Sequence, residues 1–163
     1  MKLEILVSAV NEDVDTLAER MNLQADAIIV NQCGENTYRE YTYQEHRIRC
    51  YSFAERGVGL SRNNCLMRAQ GDICLFADED IIYRPGAVRA IEAEFEKNPD
   101  ADMILFNMDV PEDRATYHID GYGRVRWYNC GRYPTYSFAV RTEKLREANI
   151  AFSLLFGGGA RYS

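Results

Sequence analysis

Short apolar runs alternate along the chain with segments of helical periodicity, and this alternation restricts the fold more than any other feature of the sequence. Runs rich in apolar and β-branched residues predict strands at residues 3–10, 27–30, 48–53, 73–77 and 103–108. Helical patterns separate most of them, as where Val14, Leu17, Ala18 and Met21 fall on one face. Strands that alternate with helices predict an α/β domain, with a largely parallel sheet and helices on both faces.

The other predicted helices are marked by their ends. One is expected to begin near Ser61, after glycines at positions 57 and 59. A second begins near Pro85 and ends at residues 98–99, and a short one covers residues 142–148. Residues 110–136 are polar and aromatic, which favours antiparallel hairpins or a long covering loop over another crossover. Within them, packing in the core or in a hairpin is favoured for Trp127 over stacking on the face of a bound sugar ring.

Composition removes several classes of protein. Nineteen basic against 25 acidic residues give a net charge of −6, so nucleic acid is not expected as a partner. Five cysteines without a C-x-x-C pair indicate a reducing compartment, and two histidines do not supply a zinc site. The sequence shows no leader and no apolar run near the roughly 20 residues that cross a bilayer, so we expect a cytoplasmic location.

Polar residues follow three predicted strands, at residues 8–11, 31–34 and 78–80. In an open parallel sheet, ligands bind beyond the carboxyl ends of the strands. Asp78, Glu79 and Asp80 are the strongest indication, because adjacent carboxylates repel one another unless a cation or solvent relieves them. In an extended chain Asp78 and Asp80 point to the same side, and their oxygen ligands favour Mg²⁺ or Mn²⁺. A solvated acidic turn is the alternative.

Arg62 is the other candidate, since a guanidinium near the strand ends would bind a diphosphate in bidentate fashion. The alternative is an arginine that lies in solvent. Dinucleotide binding is excluded, because Arg62 occupies the third glycine position of the fingerprint that Gly57 and Gly59 begin. Neither a P-loop nor a nucleophile elbow occurs.

Five segments occur together in an order typical of one family: residues 6–11 (LVSAVN), 59–64 (GLSRNN), 71–86 (GDICLFADEDIIYRPG), 136–141 (YSFAVR) and 156–162 (FGGGARY). The first three resemble the N-terminal half of family 2 glycosyltransferases of the GT-A fold. The last two resemble that family's approach to its acceptor site. The resemblance covers nearly the whole chain and implies one domain, residues 1–163. Residues 1–110 would bind the nucleotide sugar, and residues 111–163 would begin the acceptor-binding half.

The resemblance implies metal-dependent, inverting transfer of a sugar from a nucleotide-diphosphate donor to a glycan or other hydroxyl acceptor, in polysaccharide or glycoconjugate biosynthesis. By similarity, Asp80, with Asp78, would ligate Mn²⁺ or Mg²⁺ at the diphosphate. The residues implied in nucleotide-sugar binding are Ser8, Asn11, Asn31, Gln32, Arg62, Asp78 and Glu79. The missing leader and the free cysteines also fit peripheral association of the full-length protein with the inner face of the plasma membrane, which is the alternative to a cytoplasmic location.

The chain departs from the family pattern at three places. Asn31 and Gln32 stand where the family has aspartates, and Ile81 stands where it often has a further acid. The family's catalytic base follows the glycine-aromatic segment, and Asp120, Glu143 and Glu147 do not fit its position, so the catalytic residue is unknown. The sequence is thus expected to stop before the base, with self-association through an apolar C-terminal surface. The alternatives are a nucleotide-sugar binding module without turnover and a structural α/β domain.

Overall fold

The structure, a computed structural model, describes residues 1–110, 118–130, 133–159 and 161. Its strands in chain order are β1 (Leu3–Val10), β2 (Asp26–Gln32), β3 (Thr37–Tyr43), β4 (His46–Phe53), β5 (Ile73–Asp78), β6 (Met103–Leu105) and β7 (Phe138–Arg141). Its helices are α1 (Val14–Arg20), α2 (Val58–Arg68), α3 (Ala87–Lys97) and α4 (Thr142–Glu147), with a 3₁₀ turn at Thr135–Ser137. In the described part of the chain, none of the helices has the length and apolar surface of a membrane span.

The strands form one sheet in the order β3-β4-β2-β1-β5-β7-β6. Its four central strands are parallel, because β2 and β5 flank β1 in the same direction and β4 joins β2. The remaining neighbours are antiparallel: β3 pairs with β4, and β7 pairs with both β5 and β6. The sheet confirms the predicted α/β fold, with a parallel centre and an antiparallel C-terminal part.

Alternation along β1 and β5 divides the core between the two faces of the sheet. On one face, Ile5 and Val7 of β1 pack with residues of α1 and α3. On the other face, Leu6 of β1 and Phe76 of β5 pack with residues of α2 and α4. Because side chains alternate along a strand, Ser8 and Asp78 fall on the α2 face with these residues. The predicted helices on both faces are confirmed.

Strand β3 was missed by the sequence reasoning. It forms a hairpin with β4 through Gln44 and Glu45, which both have left-handed backbone angles (φ 46° and 71°). Such turns usually carry Asn or Gly, so the sequence lacks the usual hairpin signal here. β3 is also an edge strand exposed along most of its length, which explains its polar sequence.

Four other expectations change. α2 begins at Val58, three residues before Ser61, and β6 ends at Leu105 rather than at residue 108. Residues 118–130 contain no strand, which fits the loop and not the hairpins over that stretch. The predicted packing of Trp127 in a core or hairpin is wrong, because its side chain is 87% exposed and contacts Tyr128 edge-on.

Parts of the predicted C-terminal segments lie outside the described residues. They are residues 111–117, 131–132, 160 and 162–163.

The five cysteines differ in exposure, which predicts their reactivity. Burial raises the pKa of Cys50 to about 12 and that of Cys74 to about 11, and it also raises the pKa of Cys65. Cys33 is half-buried and Cys130 is exposed. Because the thiolate is the nucleophile, we expect a thiol reagent at about pH 8 to modify only Cys33 and Cys130 of the folded protein. Mass spectrometry of the labelled chain tests this, and rapid labelling of Cys65 would contradict it.

Candidate functional site

The carboxyl ends of β1, β2 and β5 meet at one edge of the sheet. Ser8 of β1 lies opposite Asp78 of β5 and Val30 of β2, and Gln32 lies opposite Val10. α2 begins beside this edge, because the backbone N–H of Gly57, its N-cap, donates to Gln32 Oε1 at 2.6 Å. The fold therefore brings Ser8, Gln32 and Asp78 to the same end of the sheet.

Ser8 is buried and hydrogen-bonded within the protein. Its hydroxyl lies 2.8 Å from the Ser61 hydroxyl of α2, and Ser61 Oγ donates to the Val30 carbonyl oxygen at 3.3 Å. These bonds fix the first turns of α2 to the ends of β1 and β2. Ser61, which sequence reasoning used only as a helix start, is thus the link between the strands and Arg62.

Arg62 and Asp78 form an ion pair at this edge, with Nη2 2.9 Å from Oδ1. The Arg62 side chain is only 14% exposed. Its Nε–H has no hydrogen-bond partner and is the only such buried side-chain atom among the described residues. An unsatisfied buried donor costs about 1–3 kcal/mol, so a further acceptor at this atom would stabilise the Arg62 side chain.

The acidic triplet lies at a bend. β5 ends at Asp78, and the N–H of Ile81 donates to the Asp78 carbonyl oxygen at 3.2 Å, so Glu79 and Asp80 lie in a turn. The extended alternation expected for Asp78 and Asp80 therefore ends at Asp78. Partial burial, together with the carboxylates of Asp78, Asp80 and Glu12, raises the pKa of Glu79.

The residues of this edge fit a hard divalent cation that takes few ligands from the protein. Within the described ranges, no three His, Cys, Asp or Glu side chains come together as a metal-binding group. Asp78 and Asp80 offer carboxylate oxygens on one turn, and Mg²⁺ is commonly held by one or two carboxylates together with substrate phosphates. The donor chemistry thus suits a cation that a diphosphate helps to bind.

Asn31 and Gln32 are both buried and bonded to the backbone. The Asn31 amide accepts from the N–H of Glu12 at 3.1 Å and donates to the Glu12 carbonyl at 2.9 Å. The backbone carbonyl of Gln32 accepts from the backbone N–H of Asn11. Asn11 is exposed and has a left-handed φ of 53°. These contacts shape the loop between β1 and α1, so Asn31 and Gln32 position Asn11 and Glu12.

A C-terminal segment, residues 152–159, packs against α2 beside Arg62. Asn63 exchanges two hydrogen bonds with the backbone of Phe152, and the N–H of Val58 donates to the carbonyl of Gly158 at 3.0 Å. The residue types of Asn63 and Phe152 did not predict a role for either. Nothing in the local pattern shows that residues 89 positions apart meet.

Glu143 and Glu147 lie away from Asp78, and Asp120 lies in solvent. Asp120 is almost fully exposed near His118. Glu143 and Glu147 belong to α4, whose first residue donates its N–H to the carbonyl of Asp72, at the opposite end of β5 from Asp78. Glu143 and Glu147 therefore lie at the end of the sheet opposite Asp78.

Comparison with known proteins gives one family. The model of the family described as Glycosyl transferase family 2 matches residues 5–150. A comparison with curated protein sequences finds no match.

Solved structures share the fold. The crystal structure of S. aureus TarS 1–349 in complex with UDP-GlcNAc gives a TM-score of 0.71 at 18% identity, over 98% of this chain and 51% of that one. The same fragment in complex with UDP gives 0.67 at 19% identity, over 94% and 50%. The structure of S. aureus TarS gives 0.57 at 20% identity, over 94% and 30%. This chain spans about half the length of the first two structures.

Proposed function

Because the chain belongs to glycosyl transferase family 2, we propose that it forms the donor side of an enzyme that transfers a sugar from a nucleotide-diphosphate sugar to an acceptor hydroxyl. The proposal includes metal dependence, inversion at the anomeric carbon and a role in polysaccharide or glycoconjugate biosynthesis. Residues 1–110 would hold the nucleotide sugar, and residues 111–163 would begin the acceptor side.

The observation that carries the proposal is the unpartnered Arg62 Nε–H beside Asp78. Charged hydrogen bonds to phosphate are among the strongest in proteins, and Arg suits phosphate recognition because its donors form a planar fork. A diphosphate oxygen placed at Nε would satisfy the buried donor. Arg62 would then bridge the ligand and the carboxylate of Asp78.

Asp80, with Asp78, is proposed to hold Mn²⁺ or Mg²⁺. When bound, such a cation stabilises the negative charge that develops on the diphosphate as it leaves. Arg62 supports the same charge from α2, in a partly buried place where electrostatic interactions are strong. The sugar carbon gains oxocarbenium character as its bond to the diphosphate lengthens, so stabilising the leaving group lowers the barrier.

Nucleotide titration tests the proposal. We expect UDP, GDP or CDP to bind in calorimetry only when Mn²⁺ is present, and Asp80→Asn to weaken binding at least about tenfold because it removes a metal ligand. UDP is tested first, since two of the similar TarS structures were solved with UDP-GlcNAc or UDP.

Asp100→Asn is the matched control, because Asp100 is exposed and follows α3, outside the site. It should bind like the wild type. Absence of binding by the folded wild-type chain, or binding that is indifferent to both Mn²⁺ and Asp80→Asn, would count against the proposal.

A nucleotide-sugar binding module without turnover is the second candidate. The position of α4 at the opposite end of β5 favours the binding module, since Glu143 and Glu147 then lie too far from Asp78 to serve as the base for a sugar bound there. A donor-hydrolysis assay on the same chain separates the two. General base catalysis is worth roughly 10²–10⁴-fold, so weak turnover above background supports the enzyme, and none with tight binding supports the module.

A further inference from the structure

Asn63 holds the C-terminal segment by both ends of its amide. Its Nδ2 donates to the carbonyl oxygen of Phe152 at 3.0 Å, and its Oδ1 accepts from the N–H of Phe152 at 2.8 Å. Both backbone groups of one residue are therefore satisfied by one side chain. Such a pair fixes the position of Phe152 in two directions, as one rung of a sheet ladder would.

The same segment touches α2 closely at a glycine. A Cβ built on Gly59 would lie 2.1 Å from the carbonyl oxygen of Ser153. This distance is too short for any real Cβ, so only glycine fits at this position. Asn63 lies one helical turn after Gly59, on the same side of α2. Close approach at Gly59 and the amide pair at Asn63 thus hold adjacent residues, Ser153 and Phe152.

The ring of Phe152 lies between the core and Arg62. Its centroid is 5.1 Å from that of Phe76, which it meets edge-on, and 5.7 Å from Cζ of Arg62. The second distance is within the range of a cation–π interaction. Phe76 and Asp78 lie two residues apart on β5, so their side chains are on the same face of the sheet. Phe76 supports the Phe152 ring that contacts Arg62, and Asp78 pairs with Arg62 directly.

We propose that Asn63 is a positioning residue for Arg62 and that it acts through Phe152. Asn63 fixes the backbone of Phe152, the Phe152 ring packs on the guanidinium of Arg62, and the guanidinium keeps its bond to Asp78 with Nε–H left for the ligand. The consequence for nucleotide affinity rests on the proposed function. The positioning itself is a property of the unliganded protein.

The Nε–H signal of Arg62 in NMR spectra of the full chain tests the positioning without a ligand. We expect Asn63→Ala to shift and broaden this signal, because the ring no longer holds the guanidinium in one place. Phe152→Leu should do the same while it leaves the backbone bonds to Asn63 possible. Met67→Ala is the control, since Met67 lies on the same helix and is 70% exposed. An unchanged Arg62 signal in both Asn63→Ala and Phe152→Leu would overturn the proposal.

Nucleotide affinity then separates positioning from general loss of structure. With Mn²⁺ present, Asn63→Ala should weaken UDP binding roughly three- to tenfold, which is the size of one cation–π contact. In an Arg62→Met background the same substitution should have no further effect, because residues that act through one another are not additive.

The outcomes of this titration separate the two proposals. An equal loss of affinity from Asn63→Ala with and without Arg62 would overturn the positioning role. If the wild type binds none of the tested nucleotides, the proposed function fails, and the NMR signal still decides the role of Asn63. Should Asn63→Ala fail to fold, Phe152→Leu carries the same test in both experiments.

Discussion

Replacement of Arg49 by methionine is expected to lower the free energy of unfolding by about 3–5 kcal/mol, because it leaves a buried carboxylate without its partner. Arg49 Nη2 lies 2.7 Å from Oε1 of Glu4, and the two side chains are only 6% and 4% exposed. For a domain of this size the loss corresponds to a fall in Tm of roughly 10 °C. Thermal and urea unfolding of the two proteins measure it.

The effect is large because Glu4 does more than pair with Arg49. Its second oxygen accepts from the backbone N–H groups of Gln70 and Gly71, which follow α2. Arg49 also donates to the carbonyl of Arg68, the last residue of α2, at 3.1 Å. The pair thus ties the end of α2 to β1 and β4, and its loss should loosen the helix that carries Ser61, Arg62 and Asn63.

Arg47→Met is the matched control on the same strand. Arg47 pairs with Glu40 at 2.7 Å, but both side chains lie in solvent, which screens their attraction. We expect this substitution to change Tm far less than Arg49→Met does. Equal falls in Tm for Arg49→Met and Arg47→Met would contradict the prediction, because the buried pair would then stabilise the fold no more than the exposed one.

Gly59→Ala is expected to detach the C-terminal segment from α2. Alanine normally stabilises a helix relative to glycine by about 0.5–1 kcal/mol, so a loss of stability here would be a reversal of sign. The new Cβ would lie 2.1 Å from a backbone oxygen of Ser153, and a backbone atom cannot turn aside as a side chain can. We expect a net loss of about 1–3 kcal/mol, as for other overpacked sites.

Hydrogen exchange and limited proteolysis measure this detachment directly. In Gly59→Ala the amide of Phe152 should exchange faster, and protease should cut sooner within residues 152–159. Gly34→Ala is the control, because nothing lies within 4 Å of a Cβ built at Gly34. If Gly59→Ala raised Tm and kept the segment protected, the close approach to Ser153 would be refuted.

The sequence predicted most of the regular elements because each has a local cause. β1 and β5 are mostly apolar runs, and the spacing of Val88, Ile91 and Phe95 marks the buried face of α3. It failed at β3, where Gln44 and Glu45 replace the usual turn residues and the strand is stabilised by its pairing with β4. Pairing energy from a neighbour is not visible in a local pattern.

The candidate site divides in the same way. The placement of Ser8, Arg62 and Asp78 near strand ends was predicted from the α/β pattern and the rule that ligands bind at the carboxyl ends of parallel strands. The order of the strands in the sheet came only from the structure. The family was also predicted from the sequence, because five short segments occur in the order typical of that family, and the family model matches residues 5–150.

Only the tertiary structure decided which polar atoms are already used and which remain free. In the structure the Asn31 side chain is hydrogen-bonded to the backbone of Glu12, and the second oxygen of Glu4 accepts from Gln70 and Gly71. Nε of Arg62 has no hydrogen-bond partner among the described residues. The tertiary structure also brought Phe152 to Asn63 across 89 positions. Hydrogen bonds and close contacts depend on distances between atoms that are remote along the chain, and residue types alone do not contain those distances.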